Sequence, residues 1–257
     1  MGTETSVKIV AIIPARLGSS RFPGKPLAPL LGKTMIEHVY RRTAMSKSLL
    51  GVYVATCDEK IRDAVEGFGG KAVMTSNRHE RAGDRVAEAI EGIEADVVVM
   101  VQGDEPMTRP DMIDEATAPF GNNPDISCVN LTTRIESMDE FNNPNTIKVA
   151  IDRTGNALYF SRRPIPYAVE ANFAAITPYK QVCIIPFSRQ ALKTFSALKP
   201  TPLEIAESID MLRFLEHGYP VRMVETRFNT HAVDTPEDLT RVEKLMTHDP
   251  LTESYSS

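Results

Sequence analysis

The chain has 257 residues, enough to bury a sizeable core as one elaborated domain. Its formal net charge of -5 supplies no general basic field, which excludes non-specific attraction to nucleic acid or to an anionic membrane; any bound anion must meet a local cluster of cations. No apolar run approaches the ~18 residues of a membrane span, residues 1–8 lack a secretory apolar stretch, and Cys57, Cys128 and Cys183 have neither metal nor disulfide spacing, so a cytoplasmic protein with reduced thiols is expected.

Residues 7–15 (VKIVAIIPA) are an apolar run rich in β-branched residues, the pattern of a strand buried on both faces. The run opens directly into residues 16–27 (RLGSSRFPGKPL), where small residues free the backbone N–H groups and Arg16, Arg21 and Lys25 supply fixed positive charge. A loop of that chemistry binds polyphosphate, and it is read as the triphosphate loop of a nucleotide-using enzyme.

Residues 33–45 place Met35, Ile36, Val39 and Tyr40 at helical spacing, and residues 50–56 (LGVYVAT) form a second strand. Asp58 is positioned to cap a helix that runs to Phe68 and stops at Gly69-Gly70. Residues 71–75 are a third strand, 84–93 a helix, and 96–101 (DVVVMV) a fourth strand without polar alternation. This alternation predicts a doubly wound, mostly parallel α/β sheet of the nucleotidyltransferase type, in which ligands bind beyond the carboxyl ends of the strands. The fourth strand ends in Gln102-Gly103-Asp104-Glu105-Pro106. Two carboxylates with a Gly for close approach fit a divalent-cation site, and a solvated acidic turn is the plain alternative; on an extended chain only one of Asp104 and Glu105 faces the nucleotide.

After a helix from Asp111, residues 126–132, 147–151, 157–160 and 181–187 (QVCIIPF) read as strands without long helices between them. They predict a smaller β-rich lobe over about residues 133–200 that covers the nucleotide site and offers a dimer surface, within one domain spanning residues 1–246. A continuous helix is expected over 204–217, a strand over 221–225, and a helix over 236–246 capped by Thr235 with Asp238 three residues on. Residues 247–257 are expected to be a disordered tail.

Taken together, Ile13-Pro14-Ala15-Arg16 with residues 19–27, VQGDEP at 101–106, Asn143-Pro144-Asn145, Tyr159-Phe160-Ser161-Arg162 with PIPY at 164–167, and VDTPEDL at 233–239 resemble the 3-deoxy-manno-octulosonate cytidylyltransferases, the CMP-Kdo synthetases. The match runs in order over about residues 8–246. It implies transfer of CMP from CTP to the anomeric hydroxyl of a 3-deoxy-2-ulosonic acid with release of pyrophosphate, by a homodimer serving lipopolysaccharide or capsule assembly. It further implies that Ala15, Arg16, Ser19, Arg21, Lys25 and Arg85 contact CTP, that Asp104 and Asp234 bind Mg2+, and that Gln102 and Arg162 belong to the sugar pocket.

The chain departs from that family's pattern in two places. A Ser-Gly-Thr in the loop touching the nucleoside is replaced by Arg81-Ala82-Gly83, and in the sugar pocket a His and a Tyr are replaced by Gln181 and Ile185 and a Glu-Gln pair by Asp210-Met211. A changed pocket implies a changed or relaxed acceptor. The alternatives are a nucleotidyltransferase of the same fold using another sugar acid, sugar phosphate or nucleotide, and a nucleotide-binding regulator without catalysis, against which the intact Arg16, Lys25, Asp104 and Asp234 argue.

Overall fold

The computed structural model describes residues 7–18, 22–123 and 125–255; Ser19, Ser20 and Arg21 of the expected phosphate loop lie outside the described residues. The first strand, β1 (Ile9–Ala15), is followed by a 3-10 turn at Lys25–Leu27, a short hairpin of β2 (Pro29–Leu30) and β3 (Lys33–Thr34), and helix α1 (Met35–Ala44), whose first turn is capped by the Thr34 hydroxyl. Strand β4 (Gly51–Thr56), α2 (Glu59–Gly67), β5 (Ala72–Met74), α3 (Ala82–Ala89), β6 (Val97–Val101) and α4 (Pro110–Asn122) complete the predicted alternation. Then come β7 (Val129–Arg134), α5 (Met138–Asn142), β8 (Lys148–Ile151), β9 (Ala157–Ser161), β10 (Tyr179–Val182) and β11 (Ile184–Ser188). The chain finishes with α6 (Arg189–Ala197), α7 (Pro202–Glu207), α8 (Met211–Glu216), β12 (Arg222–Glu225), α9 (Pro236–Met246) and α10 (Pro250–Glu253).

The main sheet has the order β11-β6-β1-β4-β5, with β6, β1, β4 and β5 parallel and β11 antiparallel at one edge. Strand β1 shows why both faces must be covered. Val10 and Ile12 pack with Val86, Phe187, Phe195 and Phe214, whereas Ile9, Ala11 and Ile13 pack with Ile36, Val39, Ile61 and Met112. Successive side chains point to opposite faces of a strand, so a run without polar residues demands a helix layer on each side. A second sheet, β12-β7-β10-β8-β9, is antiparallel except where β12 runs parallel to β7. Among the described residues no helix is long and apolar enough to cross a membrane.

Three expectations are corrected. The strand expected over 181–187 divides at Cys183: β10 joins the second sheet, and β11 crosses to pair with β6, filling the core with Ile184, Ile185 and Phe187. The helix expected over 204–217 is two helices, broken at Ser208, which has a left-handed φ of 54°. In one straight helix Glu204 and Arg213, nine residues apart, would point to opposite sides. The break lets Arg213 Nε and Nη2 donate to the two Glu204 carboxylate oxygens at 2.9 and 2.7 Å inside the protein.

The third correction concerns the tail. Residues 249–255 dock on α1, where Arg42 is completely buried and needs partners. It pairs with Asp249 and donates to Thr252 Oγ1 and to the Tyr255 hydroxyl, each at 2.8 Å. His38 Nδ1 lies 2.9 Å from that hydroxyl and Nε2 lies 2.7 Å from the Leu30 carbonyl oxygen.

Candidate active site

A cleft of about 510 Å³ opens beyond the carboxyl ends of β1 and β6. Gly103, two residues past β6, has to be glycine: a Cβ there would lie 2.9 Å from the Pro14 carbonyl oxygen, so a larger residue would push the two strand ends apart. At the end of β1, Ala15 is buried and Arg16 is exposed. The loop is then held by the Leu17 amide, which donates to Asp58 Oδ2 at 2.8 Å. Asp58 does occupy the position before α2, but its carboxylate serves the loop and makes no hydrogen bond to the helix. Gly24, at φ 74°, turns the chain so that Lys25 points back into the cleft.

Lys25 is the centre of the arrangement. Its ammonium donates to Asp104 Oδ2 at 2.8 Å, to the Val233 carbonyl at 2.8 Å and to Asp234 Oδ1 at 3.4 Å. The Val233 amide in turn donates to the Asp104 carbonyl at 2.9 Å, which ties the approach to α9 to the end of β6. Val233 is fixed by a small core of its own with Leu30, Met35, Val242 and Met246. Asp234 follows, and its amide and that of Thr235 donate to Asp238 Oδ2, each at 3.1 Å, in the capping arrangement anticipated for this helix start. Of the adjacent carboxylates, Asp104 faces the cleft with 30% of its side chain exposed. Glu105 turns inward, and burial, reinforced by the charge of Asp104, pushes its carboxyl up to about 7.

Asp104 and Asp234 converge on one ammonium, so two carboxylates from distant parts of the chain already share a cationic partner. Mg2+ is commonly held by one or two carboxylates together with substrate phosphate oxygens, and this donor set fits it. Among the described residues no group of three or more His, Cys, Asp or Glu side chains forms a self-sufficient cage. Arg85 also lines the cleft but is buried and committed: Nη1 donates to Thr75 Oγ1 at 2.5 Å and to the Ser76 carbonyl at 3.3 Å, and Nη2 to the His79 carbonyl at 3.3 Å. It shapes the wall on which a nucleotide would lie.

Residues 10–239 match the cytidylyltransferase family. The chain is 48% identical over 249 residues to the 3-deoxy-manno-octulosonate cytidylyltransferase of Geobacter metallireducens, covering 93% of this chain and 98% of that one. It belongs to the 3-deoxy-manno-octulosonate cytidylyltransferase family. The counterpart in Syntrophus aciditrophicus is 47% identical over 242 residues, covering 93% of this chain and 97% of the relative. A solved CMP:2-keto-3-deoxy-manno-octonic acid synthetase, in complex with CTP, superposes with a TM-score of 0.87 at 41% identity, over 93% of this chain and 98% of that one.

Against this family background the expected sugar-pocket residues separate. Gln102 lines the cleft with Asp104 and Asp234. Asp210 stands at the start of α8 beside Arg81, 3.5 Å away. Arg162 is occupied by the main chain, donating to the carbonyls of Glu207, Pro144 and Ser208 at 2.6, 3.0 and 3.3 Å. Gln181 donates to Asn130 Oδ1 at 2.6 Å. Ile185 and Met211 are corrected: both are enclosed in the core, because β11 and α8 close over the main sheet, and neither lines the cleft. What residue chemistry alone did not disclose is the Val233 carbonyl, which carries no side-chain signal, and the contact between Arg81 and Asp210.

Proposed function

We propose that the protein transfers CMP from CTP to the anomeric hydroxyl of a 3-deoxy-2-ulosonic acid, Kdo or a modified relative, and releases pyrophosphate in a Mg2+-dependent reaction. The observation that carries this reading is the meeting of Lys25, Asp104 and Asp234 beside Arg16 at the end of the nucleotide-binding sheet. In such a displacement the anomeric oxygen bonds to the α-phosphorus while the bond to the pyrophosphate oxygen breaks in line. The protein must therefore position two anions and neutralise charge, and no enzyme nucleophile is required.

The residues divide that work. Arg16 presents a planar set of N–H donors to phosphate oxygens, and Lys25 offers a point charge to the leaving pyrophosphate. Asp104 and Asp234 hold Mg2+, which when bound polarises a phosphate oxygen as a Lewis acid. Gln102 donates to, or accepts from, a sugar hydroxyl. Cys128 and Cys183 stand outside the chemistry: burial pushes both thiols up, away from the thiolate form. Exposed apolar side chains on and after β9, Leu158 and Tyr167, support a homodimer through the second sheet.

A second reading, transfer to another sugar acid or a sugar phosphate, is favoured by the altered residues at 81–83, 181, 185 and 210–211. Incubation with each nucleoside triphosphate, Mg2+ and a panel of acid sugars, followed by pyrophosphate release, tests both. Turnover of CTP with an ulosonic acid alone is expected. An enzyme that turns over another pair and leaves CTP with every ulosonic acid untouched would refute the first reading.

A further inference from the structure

Four described cations line the cleft: Arg16, Lys25, Arg81 and Arg85. Lys25 is engaged by Asp104, Asp234 and Val233, and Arg85 by the loop after β5. Arg16 emerges from β1 straight into the phosphate loop. Arg81 is differently placed. Its Nη1 donates to Ser208 Oγ at 3.0 Å and lies 3.5 Å from Asp210 Oδ1. Among the described residues its Nε and Nη2 make no hydrogen bond, so most of the guanidinium's donors remain for a ligand.

The anchor for this guanidinium is built into the fold. Asp210 lies in the turn between α7 and α8; burial pushes its carboxyl up, and Arg81 and the Gly83 amide oppose that shift. The turn is pinned from its other side by Arg162, which donates to the Glu207 and Ser208 carbonyls. Ile209, between the two anchoring residues, is buried in the core. Arg81 lines the same cleft as Gln102, Asp104 and Asp234, and its contact with Asp210 is made from that wall.

We infer that Arg81 determines acceptor specificity by gripping the carboxylate of the acid sugar, with Asp210 and Ser208 holding its guanidinium in place. The inference rests on the acid-acceptor reading above. In a 2-ulosonic acid the carboxylate is bonded to the anomeric carbon, the same carbon that carries the attacking hydroxyl. A planar fork that holds both carboxylate oxygens therefore also aims the nucleophile. Arg81 and Asp210, 129 residues apart, depart from the family pattern in two separate segments, and the structure brings them into contact. The two changes form one altered unit.

The test uses CTP, Mg2+ and either Kdo or Kdo methyl ester, which keeps the anomeric hydroxyl and removes the charge. The wild type should prefer the acid, and Arg81→Ala should raise KM for Kdo by at least about tenfold, the range for a lost hydrogen bond to a charged group. KM for CTP should not move, which also shows that the variant is folded, and the preference for acid over ester should disappear. Arg81→Lys should recover part of the preference. A rise in KM for CTP instead, or an equal loss with acid and ester, overturns the inference. Failure of the acid-acceptor reading itself would show elsewhere, in a wild type that turns over CTP with no ulosonic acid of the panel above, and would overturn the two together.

Discussion

Asp58 and Leu17 are joined by a 2.8 Å hydrogen bond in which the Leu17 amide donates to the Asp58 carboxylate across 41 residues of sequence. This bond couples the residue before α2 to the loop that leaves β1, next to Arg16. A loop that must present N–H groups to phosphate has to be held before the ligand arrives, or binding must supply the ordering. Asp58→Ala should therefore raise KM for CTP by about threefold to tenfold, the net scale of one ordinary hydrogen bond acting through the loop, with little change in melting temperature. Steady-state kinetics at saturating acceptor measure it, and an unchanged KM would remove Asp58 from the nucleotide site.

The convergence of Asp104 and Asp234 on Lys25 makes a paired expectation. Asp104→Asn and Asp234→Asn should each lower kcat by on the order of a hundredfold or more, as loss of a principal electrostatic group in a transition state does. Circular dichroism should be unaltered. Lys25→Ala should weaken nucleotide binding and turnover together, and an effect confined to KM for the sugar would contradict its position.

Stability has its own centre at Arg213, which is buried between α7 and α8 with Glu204 and also donates to Asp84 Oδ1 at 3.0 Å. Glu204→Ala leaves much of a buried positive charge without its carboxylate and should destabilise the fold by about 3–5 kcal/mol in urea titrations. Replacing Glu204 and Arg213 together by apolar residues of similar size should recover a large part of that loss.

The tail contact sets a pH dependence. Burial lowers the pKa of His38 below the usual 6.5, with the nearby Arg42 adding to the effect. The neutral ring suits its surroundings, with Nε2–H donating to the Leu30 carbonyl and Nδ1 accepting from the Tyr255 hydroxyl. Below pH 6.5 the unfolded chain takes up a proton that the folded protein resists, so this stability is present above 6.5 and is lost as the pH falls through the lowered folded value. Denaturation midpoints at pH 7.5 and 5.5 should differ more for the wild type than for His38→Gln. Equal differences would refute it.

How much of this was legible beforehand differs by residue. The apolar runs of β1, β4 and β6 state their own burial, and the cations after β1 and the carboxylates after β6 follow from where such sheets bind ligands. Asp234 does not announce itself, since its contact with Lys25 spans 209 residues, and only the resemblance to a family singled it out. The breaks at Cys183 and Ser208 were hidden because the local periodicity runs through both. They exist because β6 takes an edge partner and because Arg213 must reach Glu204, and both requirements belong to the tertiary structure. The docking of the tail is hidden for a similar reason: without the partners that bury it, Arg42 reads as one of a pair of surface charges on a helix.

The order in which the chain is made gives the Val233 contact a further meaning. The loop bearing Lys25 is made 208 residues ahead of Val233, and α9 and the docked residues 249–255 follow later still. A polypeptide cut short before that point would hold Lys25 and Asp104 but lack the second carboxylate and the strut behind it. The proposed site is thus incomplete until residues 233–234 have been made, and products terminated before them should be inert even where their central sheet has formed.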